Sequence, residues 1–190
     1  MDRKYVEDGK FEKIDYTTHP LPVGDYEGCE FINCNFSETD LSDCHFIECT
    51  FNGCNLSTAK LVKTTFHDIV FTHCRLLGLA FEEINKFLFT GVFEDCQLNF
   101  SSFRGLKMKG FQFKDSILQE VDFTDTDLSE VVFDNCDFTR TIFDNSNLEK
   151  ADLRTSFHYS IDPERNRVRK ARFSVTGISG LLGKYDIEIS

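Results

Sequence analysis

The 190-residue sequence predicts an all-β solenoid, and three observations carry that expectation. From Ser116 to Arg154 a large apolar residue returns at every fifth position without a miss: Leu118, Phe123, Leu128, Phe133, Phe138, Phe143, Leu148 and Leu153. A mostly small residue stands two places before each of them, namely Ser116, Val121, Thr126, Val131, Cys136, Thr141, Ser146 and Ala151. The composition adds 21 Phe and no Trp among 41% hydrophobic residues, the usage expected of ladders of stacked identical side chains. Residues two apart share a face of extended backbone, but five is odd, so a straight strand would turn the next large residue over. The chain must therefore turn within every unit. Turning always in one sense, it winds into a solenoid with its large residues on a common axis.

Taken in order, residues 1–10 are polar and poorly patterned, a loose tail or a short capping strand. The register begins at Phe11, and every fifth residue from there to Phe81 is Phe, Tyr or Leu. Pro20, Pro22 and Gly24 make the start irregular, as expected where an open solenoid end must avoid pairing with another chain. Within 82–92 the frame slips by two residues, and the large positions resume as Leu88, Phe93, Leu98, Phe103, Met108 and Phe113. An insertion this short and rich in Phe and Leu is expected to bend the axis or fill a corner; the alternative is a recognition loop. An irregular turn occupies 158–166, where His158 and Pro163 break the pattern and His158 is expected to point inward, before Val168 and Phe173 return in phase. Residues 174–190 change character. Ser174 is placed as the N-cap of a short helix whose Val175, Ile178, Leu181, Leu182 and Tyr185 share one face, and Asp186 to Ile189 alternate like a strand.

All eight cysteines (Cys29, Cys34, Cys44, Cys49, Cys54, Cys74, Cys96 and Cys136) fall at the small position, where a buried thiol acts as a compact hydrophobe. Five-residue spacing sends successive thiols to different sides of the coil, unlike the closer spacing of a zinc pair, so no metal or cofactor is expected. No apolar run approaches a membrane span, and the N-terminus is too charged for a signal peptide; a soluble cytoplasmic chain is expected. The five His (His19, His45, His67, His73 and His158) lie at unrelated positions, and no nucleophile elbow or P-loop is present, so an enzyme is not expected.

The pattern is the signature of the pentapeptide-repeat family, which the chain resembles over most of its length. The resemblance implies a right-handed quadrilateral β-helix with four pentapeptides to a coil. On that reading 11–173 makes about eight coils, roughly 40 Å long at ~4.8 Å per stacked strand. It further implies a C-terminal helix that caps the coil and joins two subunits, giving a homodimer through Ile178, Leu181, Leu182 and Tyr185. In quinolone-resistance members, projecting loops touch topoisomerase.

The net charge is −11. Residues 115–152 carry eleven acidic side chains against Arg140 and Lys150, a balance of −9, whereas 153–190 stand at +3 with Arg165, Arg167, Arg169, Lys170 and Arg172 crowded together. Such coils would repel a nucleic-acid backbone. They could instead imitate DNA toward a protein that binds it, as gyrase-inhibiting members of the family are thought to do, with Asp122, Asp125, Asp127, Glu130, Asp134 and Asp137 as the contact and gyrase or topoisomerase IV as partner. The alternative is a structural or scaffolding rod whose carboxylates serve fold and solubility, since Asp122, Asp127 and Asp137 occupy the middle position where the family prefers Asp or Asn.

Overall fold

The computed structural model describes residues 3–185 and 187–188. Its units stack with a twenty-residue step: Phe11 pairs with Phe31, Phe31 with Phe51 and Phe51 with Phe71, all in parallel register. Twenty residues are four units, so each coil has four sides, and the chain completes about eight turns. Lys4–Glu7, Gly24–Glu27, His45–Ile47 and Thr65–His67 form a parallel sheet on the first face. The second face is a nine-stranded sheet running from Lys10–Glu12 to Arg172–Phe173. The third is held by single bridges from Asp15 through Asn35, Asn55, Arg75, Gln97, Ile117 and Asp137 to Phe157, and the fourth by bridges such as Asp40 to Lys60 and Ala80 through Ser102 and Asp122 to Ile142.

The turn that an odd period demands lies two residues after nearly every large one. Asp43, Glu48, Asp68, Asp115 and Asp125 all adopt φ between 49° and 59°, the left-handed region that turns the chain through a corner. Placing an ordinary residue there costs on the order of 1 kcal/mol, offset by backbone bonds to the next coil such as Asp43 N–H to Val62 O at 3.0 Å. Middle-position Asp and Asn steady the same turn. Asp40, Asn55, Asp122, Asp127 and Asp137 each accept the backbone N–H two residues on.

Inside, the Phe rings stack coil upon coil. Centroids lie 4.8 Å apart for Phe31 and Phe51 and 4.5 Å for Phe81 and Phe103, and rings of adjacent faces meet edge-on, as in Phe103 against Phe113. The small residues do more than save space. Cys54 Sγ donates to Phe31 O, Cys74 Sγ to Phe51 O, Thr126 Oγ1 to Phe103 O and Ser146 Oγ to Phe123 O, each reaching a carbonyl in the preceding coil. Where the position holds Cys, Ser or Thr, its short side chain thus adds one donor that ties two coils together, whereas Val121, Val131 and Ala151 fill the same place with apolar atoms alone.

Four expectations from the sequence need correction. At the frame slip the buried residue is Phe89, not Leu88. Lengthening the corner by two residues leaves Phe87 and Leu88 73% and 52% exposed and carries Phe89 inward against Phe111, while the small position is a glycine, Gly91, set close against the Ile69 carbonyl. His158 points outward, and Tyr159 enters the core in its place. At the N-terminus the register starts a unit before Phe11: Val6 pairs with Tyr26.

The fourth correction concerns the C-terminus. Among the described residues there is no α-helix; Ile178–Leu181 and Gly183–Tyr185 are short 3-10 turns. Gly177 and Gly180 explain this. A Cβ on Gly177 would lie 2.0 Å from Tyr159 Oη, and one on Gly180 2.1 Å from Tyr159 O, so the glycines serve close packing of the cap rather than helix formation. Ser174 Oγ does accept the Gly177 N–H, and Ile161 N–H donates to Gly180 O at 2.9 Å. The proposed apolar stripe is therefore dispersed: Leu181 packs on the core, while Ile178 and Tyr185 are exposed. The expected strand includes Asp186 and Ile189, which lie outside the described residues. No helix of the described residues is long and apolar enough to cross a membrane.

Candidate interaction surface

The six carboxylates singled out in the sequence wind around one coil and do not line one side. Asp122 lies on the fourth face, Asp125 at the corner between fourth and first, Asp127 on the first, Glu130 at the next corner, Asp134 on the second face and Asp137 on the third. They form a transverse belt.

Each carboxylate of the belt is engaged. Asp122 accepts from Thr124 N–H, Asp127 from Ser129 N–H and Asn147 Nδ2, and Asp134 from Thr155 Oγ1. Asp125 accepts from Asn145 Nδ2 at 2.6 Å and lies 3.8 Å from Arg104. Glu130 sits between Lys150 at 2.7 Å and Lys109 at 3.5 Å, which hold its carboxyl below the usual range. At Asp137 burial alone would raise the pKa. Hydrogen bonds from Gln119, Thr139 and His158 outweigh burial and hold it down at about 2.

Three of the five basic residues crowded near the C-terminus have the same explanation. Arg165 reaches Asp144 at 2.6 Å, Arg167 reaches Glu149 at 2.7 Å and Arg172 reaches Asp152 at 3.6 Å, each one coil back. Acidic coils and basic end are zipped together rather than left as opposed poles. The sequence did carry a signal for this. Opposite charges recur twenty residues apart in Glu94 and Lys114, Glu120 and Arg140, Glu130 and Lys150, and Asp152 and Arg172, a spacing with meaning only once the coil length is known.

The eight thiols are free and buried. Burial pushes Cys49 and Cys136 up to about 12, far from the thiolate that nucleophilic chemistry needs. A groove of about 790 Å³ between the third face and the C-terminal cap includes Arg140 and His158 in its wall. Arg140 is bonded to Glu120 and His158 to Asp137. Among the described residues no three His, Cys, Asp or Glu side chains converge as metal ligands.

The comparisons with known proteins agree with this geometry. A family profile described as a pentapeptide repeat region matches residues 25–86, and one for pentapeptide repeats in eight copies matches 96–135 and 116–154. The chain belongs to the pentapeptide-repeat proteins. Among solved structures it is similar in fold to two trypsin-treated variants of QnrB1, a plasmid-mediated fluoroquinolone resistance protein. One shares 19% identity over 100% of this chain and 95% of that one with a TM-score of 0.59, the other 18% over 97% and 99% with a TM-score of 0.53. No curated protein sequence matches the chain.

Proposed function

We propose that the chain is a non-enzymatic interaction module, a rigid rod that presents its outer surface to a protein partner, and that the partner is a DNA-binding protein of the type II topoisomerase class. The observation that carries this reading is charge density. Residues 115–152 hold a balance of −9. They occupy about two coils, ~10 Å of axis, over which duplex DNA at one charge per ~1.7 Å would carry about −6. The formal charge of residues 115–152 is therefore at least that of a duplex over the same length and suits a basic groove. The fold shared with a fluoroquinolone resistance protein supports the same class of partner, gyrase or topoisomerase IV. Eight free thiols suit a reducing compartment such as the cytoplasm.

A second reading, a scaffolding rod without topoisomerase activity, is favoured by the cross-coil pairing of Glu120, Glu130, Asp144, Glu149 and Asp152, which commits those carboxylates to the fold. Gyrase supercoiling separates the two. The wild-type protein is expected to inhibit supercoiling, or to relieve quinolone inhibition, with a steep dependence on salt. Neutralising Asp125, Glu130 and Asp134 together, as Asn, Gln and Asn, should weaken the effect about tenfold. No effect of the wild-type protein on gyrase or topoisomerase IV, at micromolar concentration and low salt, would leave the scaffold.

A further inference from the structure

The third face differs from the other three. Between Glu38 and Glu120, its outward side chains are Asn55, Ser57 and Thr58, then Arg75 and Leu77, then Gln97, Asn99 and Phe100, then Ile117 and Gln119, so Arg75 is the one charge on the face itself, with the bonded pair His73 and Asp95, and Asp115, at its edge toward the second face. The fourth face presents Asp40, Asp43, Lys60, Lys63, Glu82, Glu83 and Arg104 over the corresponding coils. A chain at −11 has thus kept one side of the rod close to neutral.

On that side Phe100 is out of keeping with its place. It is 63% exposed and stands at a corner with φ 64°, where every other non-glycine residue except Leu88 is polar. A bulky side chain is disfavoured in the left-handed region, and neither the core nor solubility calls for an aromatic ring there. Directly above it on the same corner is Gly78, which carries no side chain and whose N–H donates to Asn99 O, with the Thr58 methyl on its far side. Asn99 and Gln119 continue the face as an amide ladder bonded at 3.1 Å.

We infer that this third face is where two copies of the chain meet, with Phe100 of each seated over Gly78 of the other. A two-fold axis crossing the face between the Gly78 and Phe100 levels makes the rods antiparallel and produces that seating twice, as an isologous contact requires. Counting coils outward from the axis, Glu38 of one copy reaches the level of Arg140 of the other, so opposite charges meet at both rims. Amides act as donor and acceptor alike, which makes Asn55, Gln97 and Gln119 self-complementary. The charged sides would bring like charges together in a pair of identical chains. Sparse charge with an exposed aromatic ring on either side of the two-fold axis suits a protein–protein contact, and one arginine is too little for nucleic acid or an anionic membrane.

Sedimentation velocity of the full chain, from about 1 to about 100 µM, tests this. The expected result is a concentration-dependent dimer that persists in high salt, since apolar and amide contacts are screened little. Phe100→Asn suits the left-handed corner and should keep the thermal midpoint while weakening the dimer at least about tenfold. Ile178→Ser, on the C-terminal turns, should leave it unchanged. A monomer throughout, which would leave the face for a different protein, overturns the inference. A dimer that survives Phe100→Asn, or one lost on Ile178→Ser, overturns it too.

Discussion

Phe123→Ala is expected to destabilise the protein by about 3–5 kcal/mol, measured as the loss of free energy in reversible denaturation. The ring is fully buried and stacked between Phe103 at 5.3 Å and Phe143 at 5.5 Å, and the edges of Phe113 and Phe133 close its sides. Those neighbours are fixed by coil-to-coil backbone bonds, among them Phe123 N–H to Ile142 O at 3.0 Å, so they cannot collapse into the space left behind. The cost should fall near the top of the range for a large-to-small change. A loss under about 1 kcal/mol would contradict the inward ladder.

Gly180→Ala is expected to lift the C-terminal cap. The added methyl would meet the Tyr159 carbonyl oxygen at 2.1 Å and its ring carbons at 2.9 and 3.1 Å, and a backbone atom cannot swing aside as a flexible side-chain tip can. Relief requires the turn at Ile178–Leu181 to move off Tyr159, losing the Ile161 to Gly180 hydrogen bond and the packing of Leu181. A cost of about 2–3 kcal/mol follows from overpacking. It should appear as faster proteolysis and hydrogen exchange after Phe173, with the middle coils still protected. Unchanged protection of Tyr159 and Ile161 would show that the cap does not rest on them.

The regular coils were legible in the sequence because the inward residues repeat without exception: one period of five, with Phe or Leu at the large place, determines which side chains are inside. The corners were less legible. Leu88 keeps the count of five before Phe93, yet the longer corner at 86–90 lets Phe89 reach the core, since nothing in the count says where two extra residues are absorbed. Tyr159 replaces His158 by the same one-residue latitude. The cap was misread because apolar residues at helical spacing were weighed above Gly177 and Gly180, whose purpose appears only when Tyr159 is seen beneath them. At the acidic belt the residue types were readable and the arrangement was not. Asp122 to Asp137 are neighbours in sequence but occupy all four sides, and their partners Arg104, Lys109, Asn145, Asn147 and Lys150 lie about one coil away.

In the regular coils the small and large residues of the repeat are interior, so whatever the protein recognises must be read from the remaining surface. Thiol labelling followed by intact-mass measurement tests that placement directly, because the eight cysteines sample the small position along most of the rod. Burial and raised pKa values predict that none of the eight reacts appreciably in the native protein and that all react promptly in denaturant. Prompt labelling of Cys54, Cys74 or Cys136 in the native state, or a disulfide or tightly held zinc ion in the purified protein, would contradict it.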